Sequence, residues 1–259
     1  MHIFAFLNLE HPPVAWAVMR WMMVSADHAS PSANQGFISF MQAGMIEHQN
    51  NARIFNESII EGIRNTSFAN RVSRMRGLYC FPSRAEAEAR IDDRGWPLFF
   101  SAQNLLELEL HCDTRPTIVD ANWITFAPLG ADGRINTNDL SWITRYWAGE
   151  PFNDCTVWEL LANGVALILD TDVRRRCFEL VKRVFHESHI PILMSRLASE
   201  AGTRGGLITP FLLSENDQHV RLGYLWSDAE FRDPTVIEKI AGHPDCGFLH
   251  RLRAMADFG

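Results

Sequence analysis

The stretch from Tyr146 to Leu169, YWAGEPFNDCTVWELLANGVALIL, constrains this chain more than any other. Its second half reads as a strand opened by Glu159. The polar pair Asn163-Gly164 interrupts that strand, and an apolar segment, Val165 to Leu169, follows. A carboxylate at the mouth of such a strand is ordinarily a solvated residue. Walled by Trp158 and Trp147 it would instead be partly desolvated, which is what makes a carboxylate chemically useful. Both readings of Glu159 stand at this level.

A chain of 259 residues with 47% apolar content can bury a substantial core. One elaborated domain is expected, with its core over about residues 50–170 and a helical and hairpin extension over 171–259. With 24 basic against 31 acidic residues the formal charge is −7, which excludes bulk attraction to nucleic acid or to an anionic membrane. The five cysteines, Cys80, Cys112, Cys155, Cys177 and Cys246, lack CxxC spacing, so neither structural zinc nor any other metal is expected. Cys80 and Cys177 sit in apolar surroundings, and a reducing compartment fits them most simply. The N-terminal apolar runs, Ile3 to Leu7 and Val14 to Val24, lack a basic leader and fall short of ~20 residues, so no signal peptide or membrane span is read there. A cytoplasmic location follows as the expectation.

Periodicity predicts a strand in HIFAFLNL, a helix over Val14–Val24 and an exposed loop over Ala26–Asn34. A helix over Ala52–Arg64 buries Ile54, Phe55, Ile59 and Ile63 and turns Glu57 and Glu61 to solvent. An extended basic segment, RVSRMR, then leads through Gly77 into the strand Leu78–Phe81, and Ser83 caps a short helix from Arg84 to Arg90. Leu98–Ser101, Leu105–His111 and Pro116–Phe126 are further strand candidates, and Ser141–Trp147 a short amphipathic helix. Beyond Asp172 come a helix to about His186, helical continuation to Glu200, a loose Gly202–Gly206 connection, a hairpin of Leu207–Leu213 with Val220–Trp226, and a terminal helix from about Pro234 to Met255. His186, Glu187 and His189 fit no zinc spacing. Strands and helices come in blocks, which favours an α+β architecture with largely antiparallel sheet.

The succession IFNESIIEGIR, RVSR, GLYCF with its Ala-rich helix, and YW..GE…WELL.NG resembles the mono-ADP-ribosyltransferases, in particular their bacterial and phage toxin-like branches. The resemblance covers roughly residues 50–170 and rests on short, degenerate motifs. It implies a split antiparallel β-sandwich with flanking helices and NAD, as substrate, in the crevice between the sheets. It also implies a three-part site: an arginine or histidine holding NAD, an aromatic residue packing the nicotinamide, and a glutamate at the start of a later strand. On this sequence those are Arg74, Tyr79 and Glu159. Arg76, two residues from Arg74, and His2, on the first strand candidate, compete for the NAD-holding place. The chain departs from several branches at Val157, where a second acidic residue or a glutamine stands two positions before the glutamate, and it lacks a Ser-Thr-Ser strand.

Those residue types suit the implied chemistry. A carboxylate stabilises the oxocarbenium-like state formed as nicotinamide leaves, and an arginine fork grips phosphate. The implied activity is transfer of ADP-ribose to a macromolecular acceptor, protein or nucleic acid, in a toxin or defence setting with an antitoxin or immunity partner. The other function class is a non-enzymatic binding protein that uses Trp142, Trp147 and Trp158 as a partner surface.

Overall fold

The computed structural model describes residues 1–29, 38–91, 96–112, 114–184, 208–216 and 219–226, together with Pro234, Glu238, Ala241 and Gly242. The helical continuation to Glu200, the Gly202–Gly206 connection, His186, Glu187 and His189 lie outside the described residues, as does nearly all of the C-terminal helix expected from Pro234. Among the described residues the protein is α+β, with every strand pairing antiparallel. No described helix is long and apolar enough to cross a membrane.

Two sheets build the body. The first has four strands in the order β1 (His2–Phe6), β4 (Leu105–Cys112), β7 (Gly164–Leu167) and β2 (Met22–Val24). The second orders β3 (Leu78–Cys80), β6 (Trp158–Ala162) and β5 (Thr117–Asp120). The hairpin of β8 (Ile208–Asn216) and β9 (His219–Trp226) forms a separate pair, as its sequence pattern predicts.

Alternation explains how the first sheet packs. Ile3, Ala5, Leu106, Leu108, Leu110 and Ala166 point inward, while His2, Glu107, Glu109 and His111 point out. The inward set meets Leu78, Cys80, Leu160 and Ala162 from one face of the second sheet, together with α1 (Pro12–Met19) and α8 (Thr171–Val184). The other face of the second sheet carries Val119 and Leu161 into a second core. That core is closed by Ile60 of α4 (Asn51–Ser67) and by Ile143, Tyr146 and Trp147 of α7 (Ser141–Ala148). β6 is therefore covered on both faces, and every residue after Trp158 is buried, Glu159 included.

The sheets are joined by a kink. Asn163 alone separates β6 from β7, and Gly164 turns the chain with φ +152. A Cβ there would lie 2.1 Å from the His111 carbonyl oxygen, so only glycine fits. The buried Ser25 hydroxyl donates to Asn163 Oδ1 at 2.6 Å and accepts from Gly164 N at 3.0 Å, holding the bend. A second stitch is the mutual pairing of Phe4 with Phe81.

Four expectations need correction. The Val14–Val24 helix stops at Met19; Trp21 takes a left-handed conformation (φ 70), and Met22–Val24 pair with β7 instead, a tertiary pairing that overrides helical periodicity. Ala26–Ala29, placed in a loop, is a short helix. Leu98–Ser101 is a turn begun by Pro97, and its Phe99 and Phe100 join an aromatic cluster in which Phe100 stacks on Phe6 at 4.2 Å. Pro116–Phe126 divides into β5 and a helical turn, α6 (Asn122–Thr125), because the Asp120 carboxylate accepts from Asn122 N at 3.0 Å and bends the chain. An unforeseen helix, α3 (Phe40–Glu47), starts with a Ser39/Gln42 capping box that its S-x-x-Q spacing encodes.

Gly164→Ala is expected to lower stability by about 3 kcal/mol or more, since the new methyl meets backbone. Gly62→Ala, on the exposed side of α4 with nothing within 4 Å, is expected to gain roughly 0.5–1 kcal/mol. Urea unfolding midpoints of the two variants check both signs, and equal midpoints would refute the account of the kink.

Candidate functional site

Between the second sheet and the α4/α7 helices lies a buried cluster of charged and phenolic groups centred on Arg74. Arg74 belongs to the turn just before β3, which is closed by a Gly77 N–H to Ser73 carbonyl bond of 2.8 Å. Gly77 is required there, because a Cβ would stand 2.7 Å from Val72 Cγ1. The turn is fastened to β5 by the Val72 N–H donating to Thr117 Oγ1 at 2.8 Å.

The Arg74 guanidinium makes four hydrogen bonds to three side chains. Nε and one terminal nitrogen donate to the two oxygens of Glu57 at 3.0 and 3.1 Å. The other terminal nitrogen donates to the Tyr146 hydroxyl at 2.7 Å and to Glu159 Oε2 at 3.0 Å. The Tyr79 and Tyr146 rings lie 5.1 and 5.5 Å from its carbon. Arg74 and Glu57 are each 2% exposed, Tyr146 is wholly buried, and Glu159 is 8% exposed.

Glu159 is the second residue of β6 and shares a face with Leu161, directed at the helices. Its strand entrance is held by Asp120, a buried carboxylate that accepts backbone N–H groups from Asn122, Phe152 and Val157 at 3.0, 2.9 and 3.0 Å. Among the described residues Glu159 Oε1 carries no hydrogen bond, and the side chain is 11% exposed. One oxygen is thus anchored and the other left open.

One cation faces two carboxylates. Burial is the largest influence on Glu159 and raises its pKa, with Arg74 opposing. Burial also pulls Arg74 down, but the fields of its neighbours, Glu57 foremost, reverse this and hold it well above the usual arginine range. Burial drives the Tyr79 and Tyr146 hydroxyls upward despite Arg74, so both stay protonated. Cys80 and Cys177 are pushed up to about 12 by burial and are inert thiols.

The structure thus brings Arg74, Tyr79 and Glu159 together and leaves the other candidates apart. The segment expected to be extended is a turn at Arg74 and Arg76, and Arg76 pairs with Asp27 of α2 (Ala26–Ala29). His2 projects from the outer face of the first sheet, pairs with Glu107 at 2.9 Å and is 70% exposed at its side chain. Tyr79 stacks on Arg74, and its buried hydroxyl lacks a hydrogen-bond partner among the described residues. Trp147 is wholly buried, its indole N–H donating to the Ile60 carbonyl at 3.1 Å. Trp142 is 6% exposed and packs with Trp147 in the second core, while Trp158, at the start of β6, is half-buried.

Three participants escaped the sequence reading. Glu57 is turned inward rather than to solvent, because Arg74 supplies a buried counter-charge on that side. Tyr146 carried a signal, since a tyrosine on the apolar face of α7 must place its hydroxyl on a partner. Asp120 carried none beyond its place at the end of a strand. Grooves of about 600 and 360 Å³ open on the outer face of the first sheet, the larger beside His111 and Val165, the smaller beside His2 and Glu107. Neither is lined by Glu159 or Arg74. No three described His, Cys, Asp or Glu side chains group so as to hold a metal ion. Comparison of the chain with family models and with curated proteins finds no match.

Arg74→Met is expected to lower stability by about 3–5 kcal/mol by stranding two buried carboxylates; a urea midpoint close to wild type would contradict this. Glu159→Gln keeps an acceptor for Arg74 and removes the excess charge. Because the folded pKa of Glu159 is raised from 4.5, wild type loses stability as pH rises through the folded value, and the glutamine variant does not. The variant should therefore gain on wild type between mildly acidic and neutral pH, and parallel stability–pH curves would sink the assignment. Tyr79→Phe, which removes an unpaired hydroxyl, should be neutral or slightly stabilising.

Proposed function

We propose that the protein is an NAD-dependent ADP-ribosyltransferase in which Glu159 stabilises the oxocarbenium-like state at the ribose C1′. The observation that carries this reading is the Glu159 carboxylate. It is anchored through Oε2 by Arg74, its pKa is raised by burial, and Oε1 is free of hydrogen bonds among the described residues. An oriented carboxylate in a low-dielectric setting stabilises developing positive charge far better than one in water. The two small antiparallel sheets joined at Gly164, with Glu159 at the start of β6, are compatible with the split-sandwich arrangement that the resemblance implies.

In this reading the C1′–nitrogen bond breaks, its electron pair neutralises the departing nicotinamide, and a nucleophilic atom of a macromolecular acceptor bonds to C1′ and sheds its proton. Arg74 takes a different part from the one its residue type first suggests. Engaged on three side chains, it positions Glu159 rather than binding NAD. A second reading, a non-enzymatic binding protein, draws on the near-complete burial of Arg74, Glu57 and Tyr146, which is also how a purely structural ion cluster looks.

Release of labelled nicotinamide from NAD in the presence of cell lysate separates the two readings. Glu159→Gln should lower turnover by roughly 10²-fold or more and leave NAD affinity within about twofold. The acid limb of the rate profile should lie above the ordinary glutamate value of 4.5, because the ionised form is the active one. Unchanged turnover in a Glu159→Gln protein that melts normally would leave the binding reading in its place.

A further inference from the structure

α1 turns Val14, Ala15, Val18 and Met19 into the first core, and Arg20 is the residue that closes its last turn. By helical spacing Arg20 lies with Trp16 and Ala17 on the opposite side of the helix, yet that side is covered as well. Ala17 is wholly buried and Arg20 is 2% exposed. The Arg20 backbone N–H is used, donating to the Trp16 and Ala17 carbonyls at 3.1 and 3.2 Å. Its guanidinium makes no hydrogen bond and no ion pair among the described residues, and Nε is sealed from solvent without a partner. Burial alone pulls its pKa down to about 10, with no neighbouring charge to oppose it.

Arg74 shows what such a group ordinarily requires. It is equally buried, and two carboxylates and a hydroxyl meet it. A buried guanidinium with no counter-charge is among the costliest arrangements a fold can hold. The acidic residues at the start of α8, which packs on α1 through the Cys177 thiol and the Ala15 carbonyl at 3.4 Å, are committed elsewhere. Asp170 accepts the Asp172 and Val173 N–H groups at 2.8 and 3.0 Å, and Asp172 pairs with Arg175 at 3.1 Å. α8 instead adds a second cation, Arg174, whose guanidinium carbon lies 3.6 Å from the ring centre of Trp21.

We propose that Arg20 anchors a binding site for a small oxyanion, a phosphate or carboxylate group that supplies the counter-charge missing among the described residues. The guanidinium fork suits such a group because paired N–H donors meet paired oxygens. Its terminal nitrogens, without a partner but not sealed as Nε is, keep a narrow contact with solvent through which the anion is met. Trp21, the next residue, is 39% exposed, and Arg174 over its ring brings further positive charge to the same end of α1. The site is separate from Glu159. α1 and α8 belong to the first core, and the Arg74 cluster lies on the other face of the second sheet, so the inference is independent of the transferase reading.

Thermal melting of wild type, Arg20→Met and Arg20→Lys in chloride, phosphate, sulfate and acetate at one ionic strength tests it. Wild type should melt roughly 3–6 °C higher in an oxyanion at about ten times its Kd than in chloride. Arg20→Met should melt at or above wild type in chloride, because an unpaired buried charge is gone, and should not respond to the oxyanions. Arg20→Lys keeps the charge and loses the fork, so its half-maximal phosphate concentration should rise about tenfold; this variant decides the matter if Arg20→Met does not fold. A response to phosphate and sulfate alone assigns the site to phosphate groups, and one that extends to acetate admits carboxylates. Equal responses in wild type and Arg20→Met would refute the site, reducing the effect to general salt stabilisation. So would a wild type indifferent to every oxyanion beside an Arg20→Met protein that melts well below it, since the counter-charge would then come from the chain itself.

Discussion

A guanidinium that is 2% exposed must be neutralised where it lies, and the region around the second sheet is organised by that requirement. Arg74 draws Glu57 from α4, Tyr146 from α7 and Glu159 from β6 onto one point, fixing two helices against a sheet through directional bonds rather than shape alone. Apolar side chains, Ile60, Ile143, Trp147 and Leu161 among them, form the core on that side of the second sheet. The cluster holds one positive and two negative groups, so it is not electrically balanced. Burial makes the imbalance felt, and Glu159, at the rim, absorbs it through a raised pKa.

That imbalance links the fold to chemistry. Glu57 takes both donors of one edge of Arg74 and leaves Glu159 a single bond through Oε2. Asp120 fixes the entrance of β6, and the Gly164 kink fixes its exit into the first sheet, so the Glu159 backbone is held from both ends. What results is a carboxylate with one oxygen tethered, the other without a hydrogen bond among the described residues, and a pKa raised by burial. In the proposed reading, the ionised form of this oriented carboxylate is what meets positive charge developing at a sugar carbon.

Much of this was legible in the sequence where local pattern decides. The antiparallel α+β build, the strand starting at Glu159, its interruption at Asn163-Gly164, the α4 helix and the β8/β9 hairpin all follow from periodicity and turn chemistry. Arg74, Tyr79 and Glu159 were also individually recognisable as candidates. What sequence could not supply was their mutual arrangement, since Arg74 and Glu159 are 85 residues apart and meet only through tertiary pairing. Glu57 was misplaced because amphipathic reasoning sends every glutamate to solvent and has no means of sensing a buried arginine. His2 and Arg76 had the right residue types, but their strand and turn deliver them to Glu107 and Asp27.

The central claim is that Glu159 is tuned by a shared guanidinium, and a carboxyl carbon-13 NMR titration of Glu159 in wild type and in Glu57→Gln tests it most directly. The account predicts that Glu159 titrates above the ordinary value of 4.5 in wild type. In Glu57→Gln the same signal should move to lower pH, because the competing negative charge is gone and Arg74 serves Glu159 alone. A Glu159 signal that titrates in the ordinary glutamate range and is unmoved by Glu57→Gln would contradict it.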